Sequence, residues 1–317
     1  MEGMASTIFR RCEPDKLTAH YFFHFLIGLI MSTSFRTFVS AFLFSATVLV
    51  SHLPAQEDTK GTAQAFQMNL ESDLTMTVQG QKQKIDADTT FAYTHWSKPN
   101  QKLIGLDSMG IKVMIDGNTQ MDTLMSKDQF ATVENGEKNV IPVDEANEKL
   151  KAILQSSFGK PVFKLELDDD GAIVKQTIDP EAAKLAVVGA DMAANTLLFH
   201  PVYVDQAEFE SKSSVGMGGG KVIGGTLTYK RGEPKDNLVP FTVTGKFVAE
   251  SMVLQGLNVA NVSYDITGTQ TYDSKAGHWS AGKFNMVVGY DMMARGNKIG
   301  NAAGNMVATM EAIKAKE

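Results

Sequence analysis

Apolar and polar residues alternate along most of this chain from about residue 63 onward. Phe66, Met68 and Leu70 are each separated by one polar residue, and the same spacing recurs in many later segments. Successive side chains of a strand point to opposite sides of a sheet, so a period of two indicates strands with one buried and one solvated face. Turn sequences such as Gln79-Gly80 and Asp116-Gly117 separate these segments and favour tight hairpins. The pattern predicts long antiparallel strands.

The predicted strands form two blocks, at about 63–142 and 202–317, on either side of a middle segment at 143–200. In the first block Leu103–Ile115 is one of the predicted strands. In the second block the predicted strands are Val202–Val215, Val222–Lys230, Leu238–Val248, Val253–Thr269 and Lys283–Met293. The tail Gly304–Lys316 fits either a helix face or a strand face, and the preceding meander favours a strand.

The middle segment changes its period. Val143–Ser157 carries apolar residues at helical spacing, with Asp144 as a candidate N-cap. Pro161–Leu167 and Ala172–Ile178 predict a hairpin, and a second helix is predicted from Asp179-Pro180 to about residue 198. The predicted fold class is therefore α+β. We expect a long, curved, half-barrel-like antiparallel sheet with two central helices packed on one face.

The N-terminal part has the layout of an export signal. From Met31 the chain offers a positive residue, Arg36, then an apolar run over 37–50 and a short polar segment ending at Ala55. We expect residues 1–30 to be an extension from a mis-called start, 31–55 a signal peptide, and cleavage between Ala55 and Gln56. Residues 56–317 would form a single mature domain in the periplasm or outside the cell. The alternative is an inner-membrane anchor through residues 21–50.

Cysteine content and charge narrow the possible chemistry. The single cysteine, Cys12, precedes the predicted cleavage site, so a mature chain would have no disulfide and no thiolate nucleophile. Export without cysteine favours a bacterial envelope protein. The formal net charge is −6 and no basic stretch is visible, which argues against a nucleic-acid partner. Membrane contact is expected only through the signal segment.

No motif predicts a catalytic, cofactor or metal site. His95, His200 and His278 lack the spacing of zinc ligands, and no nucleophile elbow accompanies them. Glu166–Gly171 superficially resembles a calcium loop, but alternating apolar residues on both sides favour a hairpin turn. Gly216–Gly220 precedes a strand pattern rather than a helix, so a hairpin loop is favoured over a phosphate cradle.

Both tryptophans of the chain lie in the same tripeptide, His-Trp-Ser, at residues 95–97 and 278–280. The strands that follow them contain the similar triplets Gly105-Leu106-Asp107 and Gly289-Tyr290-Asp291. This echo suggests two related sheet halves. The tripeptides could form a symmetric ligand pocket, but hairpin corners with tryptophan covering the sheet edge are favoured.

Methionine is abundant, with 17 in the chain, three of which precede the predicted cleavage site. Those assigned to the apolar register of strands are Met68, Met76, Met114, Met252 and Met286. We predict that they line a core or a pocket. Methionine is flexible and polarisable, so such an interior would accept varied apolar ligands.

The chain resembles a family of secreted, planctomycete-type bacterial proteins with no assigned activity. The resemblance rests on the export signal, the turn at 167–171, the segment at 197–201 and the Gly277-His278-Trp279 hairpin. The architecture is also similar to the periplasmic lipoprotein-carrier half-barrel, in which a curved antiparallel sheet encloses helices and an apolar groove. These resemblances imply a groove for an apolar ligand and no catalytic residues.

Three functional hypotheses follow. The first is a non-enzymatic envelope protein that binds an apolar or lipid-like ligand, or a partner protein, in the concavity of the sheet. The second is a structural or interaction protein that holds no ligand. The third, less favoured, is a carboxylate-based hydrolase, which would need two acidic side chains facing each other across a cleft at about 5–10 Å.

Overall fold

A computed structural model describes residues 62–98, 100–134, 137–167, 173–178, 203–218, 221–254 and 257–313. Within these ranges the chain forms one antiparallel sheet of 14 strands and a single ten-residue α-helix. The predicted antiparallel sheet is confirmed. The export signal, the cleavage site Ala55/Gln56, His200 and the second predicted helix lie outside the described residues.

The strands are numbered in chain order, and α1 is Glu148–Ser157. The first eight are β1 (Thr62–Val78), β2 (Gln81–Lys98), β3 (Gln101–Ile115), β4 (Asn118–Ser126), β5 (Gln129–Glu134), β6 (Glu137–Pro142), β7 (Pro161–Leu167) and β8 (Ile173–Ile178). The remaining six are β9 (Glu208–Gly218), β10 (Lys221–Arg231), β11 (Leu238–Leu254), β12 (Leu257–Asp273), β13 (His278–Ala294) and β14 (Asn297–Ile313).

The sheet consists of two meanders joined by the first and last strands. Its strand order is β6-β5-β4-β3-β2-β1-β14-β13-β12-β11-β10-β9. β1 and β14 pair over 14 residues, from Ala65 opposite Ile313 to Val78 opposite Gly300. Along the edge that does not face β2, β3 pairs with two strands. Its residues 101–105 pair with β7, and its residues 108–115 pair with β4. The first and last strands of the described chain therefore meet in the middle of the sheet.

Tight turns close the long hairpins as the sequence predicts. Gln79 and Gly80 have φ values of 50° and 82°, and Asp116 and Gly117 have values of 49° and 79°. Positive φ at both central residues is the signature of the type I′ turn, whose twist matches that of the flanking strands. Arg295-Gly296 makes the same turn between β13 and β14.

One face of the sheet, called here the inner face, carries the core. In β1 the even-numbered residues from Phe66 to Met76 are buried or half-buried, while the odd-numbered residues from Gln67 to Thr75 are mostly exposed. Most of the buried apolar side chains of both meanders belong to a single cluster. The opposite, outer face is rich in threonine, asparagine and charged residues. This division is the expected result of the period-two pattern.

The inner face is strongly curved where β9 to β13 lie. Tyr229 of β10 stacks on Trp279 of β13 with ring centroids 5.9 Å apart, although the two strands are separated by three strand spacings, or about 14 Å along a flat sheet. Phe241 of β11 also contacts Trp279, at 5.6 Å. Side chains from non-adjacent strands meet in this way only if the sheet bends around them.

The helix differs from prediction at its start. Val143–Glu145 forms a 3-10 turn and Ala146 is extended, so the α-helix begins only at Glu148. Its N-cap is Asn147, whose side-chain oxygen accepts a hydrogen bond from the Leu150 backbone N–H at 2.9 Å. The predicted cap Asp144 is therefore wrong. Leu154 and Phe158 join α1 to the core.

Several predicted strand limits also change. The segment Val202–Val215 is wrong at its start, because β9 begins at Glu208 after a turn closed by Gln206 N–H donating to Tyr203 O. Val253–Thr269 is not one strand, because β11 ends at Leu254 and β12 begins at Leu257. The tail is a strand as favoured, since β14 continues to Ile313.

Candidate functional site

The centre of the inner face is lined by methionine. We define the methionine floor as the buried methionines of the three central strands: Met68 and Met76 of β1, Met286 and Met292 of β13, and Met306 and Met310 of β14. Met68 lies opposite Met310, and Met286 lies opposite Met306. Small residues separate them on the same face, namely Gly282, Gly300, Ala302, Gly304 and Ala308. The floor therefore combines flexible thioether side chains with glycine and alanine positions that place no bulky side chain between them.

The methionine prediction is largely confirmed. Met68, Met76 and Met286 are buried in the core, and Met252 packs against it. The placement of Met114 is wrong, because Met114 pairs with Asp86 on the outer face. Its neighbours Val113 and Ile115 face inward, and alternation then requires Met114 to point outward.

An aromatic cluster lies beside the floor, at the end of the sheet where β1 begins. Its members are Tyr203, Phe209, Tyr229, Phe241, Tyr272 and Trp279. Phe209 stacks on Tyr229 with centroids 4.8 Å apart. Trp279 is buried at the centre, and its indole N–H has no acceptor within the ranges that the structure describes. This cluster lies in the curved part of the inner face that β9 to β13 form.

A basic cluster lies at the same end of the inner face. We define it as His95 of β2, Lys102 of β3 and His278 of β13. The rings of His95 and His278 both contact Phe66 of β1, at centroid distances of 6.3 and 5.8 Å. Ile104 lies opposite His95, and Lys102, two residues earlier, lies on the same face. Three basic groups thus converge although 183 residues separate the two histidines in sequence.

Burial dominates the electrostatics of this cluster. His95 is 5% exposed. Burial, together with the nearby charges of Lys102 and His278, lowers the pKa of His95 to about 3. Burial also lowers the pKa of Lys102. Both shifts reflect the cost of placing positive charge in an apolar environment.

The two His-Trp-Ser tripeptides have different surroundings. The Trp96 ring lies on the outer face over Gly105, where an added Cβ would come within 2.8 Å of it. Trp279 faces inward and is 3% exposed. A register shift between β12 and β13 at Thr271/Tyr272 leaves Ser280 with no residue directly opposite it on β12, and such a bulge reverses the facing of the residues beyond it. Trp279 is therefore a core residue and not a cover over the sheet edge.

Acid should destabilise the protein through His95. The folded pKa of about 3 lies below the ordinary value of 6.5, so the unfolded chain takes up the proton first as pH falls. Stability is then full above about pH 6.5 and declines below it, by about 2 kcal/mol between pH 6.5 and 5. Urea unfolding at a series of pH values measures this slope. His95→Gln should flatten it, and an unchanged slope in that variant would contradict the assignment.

Two pairs of facing carboxylates lie on the outer face. Glu71 is opposite Asp88, and Asp73 is opposite Asp86. Lys84 bridges the second pair at 3.2 and 2.9 Å. Within the described ranges, no three His, Cys, Asp or Glu side chains are grouped as metal ligands. These acidic pairs sit on an exposed surface, unlike the cleft that a carboxylate-based hydrolase needs.

The predicted turn motifs take hairpin form where they are described. Strands β7 and β8 pair on either side of the Glu166–Gly171 motif, and β9 and β10 pair on either side of residues 219–220. In the described ranges, none of the helices is both long and apolar enough to cross a membrane.

Comparisons with known proteins give only distant structural likenesses. No family model matches the chain, and no curated protein matches it in sequence. A structure titled for lipid–protein interactions in lipovitellin aligns with a TM-score of 0.47 at 10% identity, covering 80% of this chain and 26% of that one.

Two bacterial proteins align still more loosely. OccK5 of Pseudomonas aeruginosa aligns at 7% identity and a TM-score of 0.21, covering 80% of this chain and 98% of that one. An outer membrane channel from Pseudomonas putida F1 aligns at 6% identity and a TM-score of 0.22, covering 83% of this chain and all of that one. The chain spans about a quarter of the lipovitellin chain. At these scores the likenesses assign neither a family nor a function.

Proposed function

We propose that this is an exported, non-enzymatic protein of the bacterial envelope that binds an apolar, lipid-like molecule against the inner face of its sheet. The observation that carries the proposal is the methionine floor, which lies on β1 and β14, where the two meanders join, and on the adjacent β13. Export is supported by the signal-like segment that follows Met31.

The composition of the floor suits the binding of ligands of varied shape better than the packing of a rigid core. A core that only stabilises the fold is usually filled by side chains with defined rotamers, such as Leu, Ile, Val and Phe. The floor instead pairs methionine with methionine and alternates it with Gly and Ala. Thioether chains can change rotamer at little cost, so they fit ligands of different shape.

Lipid extraction tests the proposal. The full chain is expressed with its signal segment, purified from the periplasm without detergent and extracted with organic solvent for mass spectrometry. We expect about one lipid-like molecule per chain. The proposal fails if the protein carries no ligand as isolated and also takes up no fluorescent apolar probe after delipidation.

Enlarging a small residue of the floor should block the ligand. Ala308 lies between Leu70 of β1 and Phe284 of β13 on the inner face. Ala308→Met adds a flexible chain there, and we expect probe affinity to fall about tenfold, or ~1.4 kcal/mol. Probe titration measures the affinity, and circular dichroism checks that the strands remain.

The matched control is Ala303→Met, five positions earlier on the exposed outer face of the same strand. It should leave probe affinity unchanged. If Ala308→Met lowers the free energy of unfolding but not the affinity, the floor is a solid core and the proposal is contradicted.

Protein–protein interaction is a second candidate, favoured by the edges of the sheet. Among the described strands, β6, β8 and β9 each pair on one side only. Unpaired edges can add a strand from another protein. Crosslinking in cells separates the two candidates, because a docking partner would be captured through an edge strand and a lipid would not.

A further inference from the structure

We propose that the protein forms a two-fold dimer in which the edge strand β9 pairs antiparallel with β9 of a second copy. In this dimer residues 208–214 of the two strands lie opposite each other, and Ser211 lies on the two-fold axis. The surface is separate from the methionine floor, so the inference does not depend on lipid binding. Two observations carry it, namely the length of the β9 edge and the order of the charges along it.

The edge of β9 lacks the usual protection against pairing. Of the described strands that pair on one side only, β9 is the longest, with 11 residues, whereas β6 and β8 have six residues each. β6 also ends at Pro142, which has no N–H to donate to a further strand. β9 contains no proline, and its register with β10 is regular from Glu208 to Gly216. Shortness, proline and bulges commonly protect sheet edges, and β9 has none of the three over this stretch.

The outer face of β9 carries charges of both signs. Glu208, Glu210 and Lys212 are all exposed. Glu208 is paired with Lys230 of β10 at 3.5 Å. Glu210 and Lys212 lie opposite threonines of β10 instead, and neither makes an ion pair within the part of the chain that the structure describes. Two opposite charges at this edge are therefore available to another molecule.

Symmetry limits how two copies of β9 can pair. A two-fold axis perpendicular to the sheet makes the new strand pair antiparallel and keeps both outer faces on the same side. Residues directly opposite each other in a sheet share a face. Because neighbouring residues of one strand point to opposite faces, the axis must pass through a residue and not between two residues.

The charges favour one of these registers. An axis at Phe209 places Glu208 opposite Glu210, and an axis at Glu210 or at Lys212 places that charge opposite its own copy. Like charges directly opposite each other are destabilising. An axis at Ser211 places Glu210 opposite Lys212 twice and brings no like charges together. Charged side chains that would discourage other pairings of this edge therefore favour this one.

Sedimentation velocity of the full chain, purified from the periplasm, tests the dimer over a concentration series that extends to the high micromolar range. The paired stretch is small for a permanent interface, so we expect a reversible dimer that weakens at high salt. Glu210→Lys and Lys212→Glu each place like charges opposite each other, and each should raise the dissociation constant at least tenfold. The matched control is Glu250→Lys, which makes the same change of charge at an exposed position of the interior strand β11 and should have no effect.

Charge exchange distinguishes this interface from a general effect of charge. The double variant Glu210→Lys with Lys212→Glu should restore the wild-type dissociation constant, because opposite charges again face each other. A mixture of the two single variants should form a heterodimer for the same reason, although each variant alone is weakened. Circular dichroism checks that every variant keeps its strands.

A disulfide tests the register directly. Two Ser211 residues on the axis would have Cα atoms about 5 Å apart, which is within disulfide range. Ser211→Cys should therefore give a covalent dimer on mild oxidation. The control is Ser263→Cys on the interior strand β12, which should stay monomeric under the same conditions.

A monomer throughout the concentration series would overturn the inference. A dimer that neither single variant weakens would also overturn it, because the copies would then associate through another surface. Weakening by the single variants without recovery in the double variant would contradict the register centred on Ser211.

Discussion

Gly304→Ala should lower the free energy of unfolding by about 3 kcal/mol. Gly304 faces inward on β14, between Leu74 of β1 and Val288 of β13. An added Cβ would collide with the backbone carbonyl oxygen of Asp73 and lie 2.7 Å from the Leu74 Cα. These are backbone atoms of the neighbouring strand, so they cannot move aside without opening the central pairing. Glycine is required here because the strands approach closely.

The control for this variant is Gly289→Ala on the outer face of β13. An added Cβ at Gly289 would meet only the Ser263 Oγ, at 3.6 Å, which is an ordinary contact. Alanine should be neutral there or slightly stabilising, because glycine within a strand costs conformational entropy. Urea unfolding followed by circular dichroism measures both variants. Equal effects would show that the close approach at Gly304 does not constrain the sheet.

Trp279→Ala should cost about 3–5 kcal/mol, the range for removing a buried large aromatic residue. Trp279 contacts Tyr229, Phe241 and Tyr272, which come from three different strands. Its removal would leave a cavity at the centre of the aromatic cluster. Trp96→Ala is the matched comparison, since it truncates the tryptophan of the same tripeptide, and we expect a loss of about 1 kcal/mol because Trp96 is only half-buried.

Each of these variants keeps one of the two tryptophans of the chain, so fluorescence reports on the other. Trp279 alone should emit at short wavelength, because it is buried among aromatic rings, and Trp96 alone should emit at longer wavelength. Similar losses of unfolding free energy in the two variants would mean that Trp96 and Trp279 are buried to a similar extent. That result would contradict the inward facing of Trp279.

The alternation of residues was sufficient to predict the sheet and most of the inner face. A one-residue offset exchanges the two faces of a strand, so Phe66, Met68 and Met76 had to lie on the same side. The limits of short strands were harder to predict. β6 has no buried residue, and no alternating pattern could therefore mark it. The break between β11 and β12 was missed because apolar residues lie on both sides of it.

The candidate site depends on contacts that local patterns do not encode. His95 and His278 meet through the pairing of β1 with β14, which brings together the two ends of the described chain. The facing of Trp279 depends on the bulge at Ser280, and a single extra residue leaves no signature in composition. The repeated His-Trp-Ser tripeptide lies on β2 and β13, which flank the paired strands β1 and β14, but the repeat alone did not predict this placement.

The most direct test of lipid binding on the inner face is photocrosslinking with a fatty acid that carries a diazirine near the middle of its chain. The probe is loaded into the delipidated protein and irradiated, and the modified residues are located by peptide mass spectrometry. We expect adducts on β1, β13 and β14 at inner-face positions, among them Met68, Met286 and Met306. Adducts confined to the exposed outer-face residues Val248 and Val287, or no specific adducts, would contradict the account.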